Sequence, residues 1–295
     1  MAVRSTGVEI GSVEQAADAL RRGGYLADAA TATVTYLASR LGKPLLLEGP
    51  AGTGKTELAL ALAQSTGARL VRLQCYEGLD ETKVLYEWNY RKQLLGLQAK
   101  GGGEGSGSAL DDVFSEPFLL SRPVLDAIRS TDPVVLLIDE IDRIEMETEA
   151  LLLEVLSDFQ VTIPELGRIG ATARPFTVLT SNATRELSEA LKRRCLYQWM
   201  DYPTPARERA IVLSRVPGIS EELAEQIVQT VQAIRSLELK KPPSIAETLD
   251  WAATLVDLGL TPSDRDVLAR TGGTLLKHRI DQATVQQELD TGTDG

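Results

Sequence analysis

Five short apolar runs punctuate the first two thirds of the chain: "KPLLLEG" (43–49), "RLVRLQC" (69–75), "PVVLLIDE" (133–140), "FTVLTSN" (176–182) and "CLYQWMDY" (195–202). Each is rich in Val, Leu or Ile, too short for a helix and without strict polar alternation, the pattern of strands buried on both faces. Segments of helical period lie among them, at about 28–40, 55–66, 121–130 and 146–158. Strands alternating with helices predict a parallel sheet with helices on both faces. Upstream, "SVEQAADALRRGG" opens with Ser12 and Gln15 in capping-box spacing and stops at a Gly pair, predicting a short helix.

After about residue 203 the strand signals stop. "SEELAEQIVQTVQAIRSL" sets Leu223, Ile227, Val231, Ile234 and Leu237 on one helical face, with Ser220 as its cap. "PPSIAETLDWAATLVDLG" starts at Pro and Ser and ends at Gly259, and "DRDVLARTGGTLLKHRID" adds helical pattern that Gly272 and Gly273 are expected to break. An α/β domain over 1–203 is thus expected to precede an all-helical one over 204–290, with a frayed tail at 291–295.

Composition changes this picture little. A net charge of −11 and a pI near 4.8 argue against a broad nucleic-acid footprint, which needs clustered Lys and Arg. The two cysteines, Cys75 and Cys195, are far apart and lie in apolar segments, so buried free thiols are expected rather than a disulfide or a metal set. No apolar run suits a signal peptide or approaches the roughly 18–20 residues of a membrane span, and the chain reads as cytoplasmic. "KGGGEGSGSALDD" (100–112) has the composition of a flexible linker.

Candidate chemistry overturns that linker reading. "GPAGTGKT" (49–56) matches G-x-x-x-x-G-K-[ST] and sits between a strand and a helix, where the pattern must sit. Its glycines let main-chain N–H groups turn inward around phosphate oxygens, and the helix start adds positive potential. Gly49, Pro50, Ala51, Gly52, Thr53, Gly54, Lys55 and Thr56, with Glu57 behind them, are the expected nucleotide-binding positions. Lys55 is expected on the β- and γ-phosphates and Thr56 on Mg²⁺. A chance match arises in on the order of one chain in a hundred before the strand–helix context is required. The pattern calls for a carboxylate at the end of another buried strand. "VVLLIDE" supplies Asp139 for the metal and Glu140 to polarise an attacking water. The two motifs must share one sheet yet flank the glycine-rich stretch, which makes that stretch an insertion loop. A nucleotide switch works without a hydrolytic base, so Glu140 points to ATP turnover. Asn182 ends the next strand, where an amide orients a water or simply makes a turn. Arg193 and Arg194 stand where a helix meets the last strand, a place where cations often do no more than compensate the helix C-terminus.

In their order, GPAGTGKT, LLIDE, a strand ending in Asn, an arginine and a helical lid resemble the AAA+ ATPases. The resemblance covers about residues 20–290. It implies a P-loop NTPase of the α/β class, with a parallel five-stranded sheet flanked by helices and an all-helical lid domain after it. It also implies that the Asn-bearing strand lies between the P-loop and acidic strands, which sets Asn182 beside the γ-phosphate. "LSEALKRRCLY" is similar to the "LPEAxxDRF" segment of the MoxR branch, which implies that Arg194, with Arg193 second, acts in trans on nucleotide bound by a neighbouring subunit. A homo-oligomer, a hexameric ring, follows from that likeness. Within MoxR-type proteins, "YLADAATATVTYLASRLGKPLLLEGPAGTGKTELA", "RLQCYEGLDETKVLYEWNYRKQLL" and "PPSIAETLDWA" resemble the CoxD-type branch associated with carbon monoxide dehydrogenase maturation. The implied partners are a von Willebrand factor A domain protein and a client metalloenzyme. Hairpin insertions are implied at about 86–118 and 160–175. Gln74 matches a polar residue that restrains the catalytic glutamate in relatives; a buried hydrogen-bonding amide is the other reading. The lid departs from the pattern: Ala246 and Glu247 occupy the place of a nucleotide-contacting arginine, so none is assigned.

Two rival classes carry weaker support. A branch-migration type nucleic-acid motor finds aromatic and basic residues in "YEWNYRKQ" (Tyr86, Trp88, Tyr90, Arg91, Lys92), but packing of a hairpin explains the aromatics as well. Residues 204–295 hold ten Lys/Arg against fourteen Asp/Glu, a poor DNA-binding appendage. A nucleotide-gated binding module with negligible turnover would leave Glu140 without a task. His278 has no metal-ligand or carboxylate constellation near it and is expected at a solvated helix position.

Overall fold

The apolar runs form strands and the periodic segments form helices. In chain order the computed structural model shows α1 (Val13–Arg22), α2 (Ala29–Leu41), β1 (Leu45–Glu48), α3 (Lys55–Thr66), β2 (Arg69–Gln74), α4 (Glu81–Val84), β3 (Tyr86–Trp88) and α5 (Tyr90–Lys100). There follow β4 (Leu119–Ser121), α6 (Pro123–Arg129), β5 (Val134–Asp139), α7 (Met146–Asp158), β6 (Gln160–Ile163), β7 (Gly167–Gly170), β8 (Phe176–Ser181), α8 (Glu189–Arg194) and β9 (Leu196–Trp199). The helices α9 (Pro205–Arg215), α10 (Glu221–Arg235), α11 (Ile245–Leu258), α12 (Val267–Leu275) and α13 (Arg279–Gly292) complete the chain. The structure describes residues 7–100, 114–264 and 266–292. The glycine-rich loop reading falls on residues outside that set.

Five strands build one parallel sheet in the order β2-β5-β8-β1-β9. Every residue of β5 and β8 is buried, as the unbroken apolar runs require. Val134, Leu136 and Ile138 of β5 and Leu179 of β8 pack with α6 and α7 into one core, each fully buried side chain contributing about 1.5–3 kcal/mol relative to exposure. β8 lies between β1 and β5, so the ends of the P-loop strand, the Asn strand and the acidic strand lie side by side.

The chain divides into two compact units, one of Met1–Gly49 with Lys55–Trp199, the other of Pro50–Gly54 with Met200–Gly295. The arc Pro50–Gly54, expected within the first domain, groups with the helical unit for a local reason. Gly52 has a φ of +75°, its carbonyl accepts the Ile245 N–H at 3.2 Å, and an added Cβ would stand 2.1 Å from that of Ser244. Only glycine fits there. The helical unit has its own core, in which Ile227, Val231 and Ile234 of the expected face are buried with Trp251 and Leu255, while Leu223 and Leu237 are partly buried. A buried Glu208–Arg235 pair ties α9 to α10 at 2.6 Å.

Five expectations need correction. The edge strands β2 and β9 are not buried on both faces: exposure alternates along each, because no strand covers their outer side. The first insertion is more than a hairpin. β3 and β4 pair antiparallel, but between them runs the helix α5, which Asn89 caps by accepting the Lys92 N–H at 3.0 Å. Gly272 and Gly273 do not interrupt α12, which continues to Leu275. Their cost of up to about 1 kcal/mol each is offset by burial of Val267, Thr271 and Leu275 on one face. His278 precedes α13 rather than lying in a helix, and its carbonyl accepts the Gln282 N–H. α13 itself runs to Gly292, two residues into the expected tail. The second insertion is an antiparallel pair, β6 with β7. No helix among the described residues is long and apolar enough to cross a membrane.

Candidate active site

Lys55 and Thr56 open α3, and the first unit brings both to the ends of β1, β5 and β8. Lys55 is 5% exposed and donates from Nζ to the Gly49 carbonyl at 2.8 Å. Burial pulls its pKa down to about 8 against the opposing fields of Asp142, Asp139, Glu140 and Glu48. Within the arc before it, the Thr53 hydroxyl donates to the Pro50 carbonyl at 3.1 Å. Ala51 and Glu57 are exposed.

Asp139 ends β5 with 3% exposure and is densely bonded. Its Oδ1 accepts the Thr56 hydroxyl at 3.0 Å and the Thr180 hydroxyl at 2.5 Å, and its Oδ2 accepts Arg72 at 2.5 Å. Thr180, in β8, also accepts the Glu140 N–H at 2.9 Å. That single hydroxyl therefore fastens both acidic residues to the middle strand. Glu140 has left-handed backbone, φ 57° and ψ 49°, which breaks the strand and re-aims its side chain. Such a conformation at a non-glycine residue costs on the order of 1 kcal/mol and persists where surrounding bonds impose it.

The Glu140 carboxylate is held on the side of β2. Gln74 donates to its Oε2 at 3.2 Å, and Arg143 pairs with the same oxygen at 2.8 Å. Arg72 in turn donates to Gln74 Oε1 at 2.7 Å, fixing which way that amide faces. Gln74 and Glu140, linked by resemblance alone in the sequence, are thus in contact.

Asn182 follows β8. Its N–H donates to Asp142 Oδ2 at 3.2 Å, and Ala183 beyond it is left-handed. At the base of β1, the buried Glu48 accepts the Ser181 hydroxyl at 3.1 Å and the Tyr197 hydroxyl at 3.0 Å. Arg193 and Arg194 end α8 with exposed side chains. Arg194 bonds the Ala190 carbonyl at 3.2 Å, and Arg193 stands 3.9 Å from Glu189. No described contact of either arginine reaches the acidic pair.

Arg72, Thr180, Asp142 and Arg143 were not found by sequence reasoning. Thr180 and Asp142 lie within two residues of quoted motif positions, but a Thr in a buried strand and an Asp after one have ordinary packing roles that pattern cannot separate from these. Arg72 projects from a strand whose alternation, exposed at Arg72 and Gln74 and buried at Val71 and Leu73, was the available signal. In the insertion, Trp88 is 8% exposed and packs edge-on against Tyr86 and Phe114, as the packing reading expected, whereas Tyr90 is 62% exposed.

The family model described as "ATPase family associated with various cellular activities (AAA)" matches residues 45–199. The denitrification regulatory protein NirQ of Pseudomonas aeruginosa is 26% identical over 236 residues, spanning 76% of this chain and 80% of that protein. An uncharacterized protein of Staphylococcus haemolyticus is 27% identical over 226 residues, spanning 74% and 77%. Among solved structures, the Thermotoga maritima RuvB Holliday junction branch migration motor aligns at 18% identity and a TM-score of 0.45, covering 90% of this chain and 72% of that one.

Proposed function

We propose, from the premise that this chain belongs to the AAA family of ATPases, that it hydrolyses ATP with Mg²⁺ at the site formed by Lys55, Thr56, Asp139, Glu140 and Asn182. The observation that carries this reading is the Thr56–Asp139–Thr180–Glu140 connection, which holds a hydroxyl and a buried carboxylate side by side with a second carboxylate turned away from them. Thr56 Oγ1 and Asp139 Oδ1, 3.0 Å apart, are hard oxygen donors of the kind Mg²⁺ takes. Held there by Thr56 and Asp139, Mg²⁺ would supply positive charge against the negative charge developing in phosphoryl transfer.

The remaining roles belong to the chain. Lys55, whose charged form the phosphates favour further, holds the β- and γ-groups. Glu140 takes the proton of the attacking water once it leaves Gln74 and Arg143, and Asn182 orients that water. Arg194, with Arg193 beside it, reaches nucleotide on a neighbouring subunit and stabilises transition-state charge there, making turnover depend on assembly into a ring. The MoxR-type and CoxD-type likeness of the quoted segments supports a ring of six that remodels or matures a client metalloenzyme, of carbon monoxide dehydrogenase type, with a von Willebrand factor A domain partner.

The test is Glu140→Gln beside Lys55→Ala. The first is expected to bind fluorescent ATP normally and release phosphate about 10²–10⁴-fold more slowly; the second is expected to lose binding. Undiminished turnover by Glu140→Gln, or no affinity of the assembled wild type for Mg-ATP, overturns the reading.

A further inference from the structure

The segment 182–188, which begins with Asn182, joins β8 to the helix that carries Arg193 and Arg194, and two buried carboxylates from the acidic side grip its two ends. At the first end, Asp142, 4% exposed, uses one oxygen for three donors. Its Oδ2 accepts the Asn182 N–H at 3.2 Å, the Thr184 N–H at 3.0 Å and the Thr184 hydroxyl at 2.6 Å. Burial pushes its carboxyl up, but the Thr184 hydroxyl and N–H and the Asn182 N–H outweigh it and hold the group below the usual carboxylate range. At the second end, Glu149 on α7, 3% exposed, accepts the Ser188 N–H at 2.9 Å and pairs with Arg185 at 2.7 Å. Arg185 also donates to the Ile144 carbonyl at 2.9 Å. Ser188 is the N-cap of α8, accepting the Leu191 N–H at 3.2 Å. Glu149 thereby fixes the start of the helix whose other end is the arginine pair.

We infer that Asp142 and Glu149 form a two-point clasp, in which Asp142 is the positioning residue of Asn182 within its own site and Glu149 the positioning residue of Arg194 for the neighbouring site. Both carboxylates leave one stretch of chain, Ile141 to Glu149, which begins at the catalytic turn. A change at Glu140 is therefore transmitted to the amide and to the arginine helix through bonds to the same short segment. α8 has only six residues, too few to hold its direction alone, so its aim is set by this anchorage and by the buried Leu191 and Cys195. This inference rests on the trans action of Arg194 proposed above.

Mixing of variants separates the two functions. Glu149→Ala subunits keep an intact hydrolytic site but donate a misplaced arginine, so they behave as Arg194→Ala subunits do. Asp142→Ala subunits donate a good arginine but misplace Asn182, so they resemble Glu140→Gln subunits. Each variant alone is expected to bind fluorescent ATP with unchanged affinity and to hydrolyse it at least about ten-fold more slowly. Equal mixtures of Glu149→Ala with Glu140→Gln, and of Asp142→Ala with Arg194→Ala, are expected to regain activity at about a quarter of interfaces, those that pair an intact site with an intact donor. Glu149→Ala with Arg194→Ala, and Asp142→Ala with Glu140→Gln, are expected to stay inactive. Glu149→Gln keeps a carbonyl for the Ser188 N–H and is expected to recover part of the rate; it and Asp142→Asn replace any alanine variant that fails to assemble. Wild-type turnover by Glu149→Ala, or recovery in the opposite pairings, overturns the inference. Recovery by Arg194→Ala with Glu140→Gln and by neither clasp variant removes the clasp alone. Failure of Arg194→Ala with Glu140→Gln to recover removes the trans reading itself.

Discussion

The acidic end of β5 and the basic end of α8 carry opposite charge in opposite surroundings. Asp139 is 3% exposed with hydroxyl donors on one oxygen and a guanidinium on the other, whereas the Arg193 side chain is 81% exposed and, among the described residues, stands near Glu189 of its own helix. Removing a carboxylate from water is tolerable only when donors replace the lost hydration, so the acidic end is committed to partners in its own chain. An exposed arginine at the end of a well-anchored helix carries no such commitment. What differs is availability: the acidic end is already engaged by groups of its own chain, while the guanidinium groups at the basic end stay exposed.

The largest expected effect that sharpens this contrast is on Arg194. Arg194→Ala is expected to lower ATP turnover by about 10³-fold at concentrations where the subunits assemble, while Arg193→Ala lowers it less than about three-fold, as measured by phosphate release against protein concentration. Equal loss in both variants would mean that the pair acts as a diffuse charge and would blur the distinction. Next in size is Thr180→Val, which keeps the shape but strips a donor from Asp139 and an acceptor from the Glu140 N–H. It is expected to cost about 2 kcal/mol in urea unfolding, because buried Asp139 keeps one donor fewer and the part-buried Glu140 N–H loses its acceptor. A loss within a few tenths of a kcal/mol would show the acidic end to be less committed than its bonds imply. The smallest effect concerns Cys195, which follows Arg194 directly. Burial pushes its thiol up to about 12, and it does the same for Cys75 with help from the Asp139 field. The reactive thiolate is then on the order of one part in 10⁴ at pH 8, rising as the pH climbs toward 12. Iodoacetamide is expected to label neither cysteine appreciably in the folded protein at pH 8 and both in guanidinium. Fast labelling of Cys195 alone would show that α8 frays at the arginine end.

The sheet was legible because strands covered on both faces, as β1, β5 and β8 are, must be continuously apolar, and the edge strands β2 and β9 are short apolar-rich runs of the same kind although one face of each is exposed. The phosphate-loop pattern and the neighbouring carboxylates were legible because their chemistry is local: a turn, a helix start, a strand end. α5 was missed because an insertion inferred by likeness obscured the Asn89 cap, and the run through Gly272 and Gly273 because burial on one face outweighed two unfavourable residues. Arg72 and Thr180 were missed for a different reason. Neither has a distinctive neighbour in sequence, and each matters only for what β5 and β8 carry beside it.

Taken by itself, the chain of residues determined the alternation of strand and helix, the change to helices alone after β9, and which side chains bear phosphate and metal chemistry, since these depend on periodicity and on spacings of a few residues. Tertiary structure alone decided that Thr180 bridges Asp139 and Glu140, that Arg72 and Gln74 face the acidic pair, and that Asp142 and Glu149 grip the segment before α8. Those contacts join residues 36 to 67 positions apart, and no local pattern specifies them: they exist because the register of a parallel sheet sets one strand end beside another.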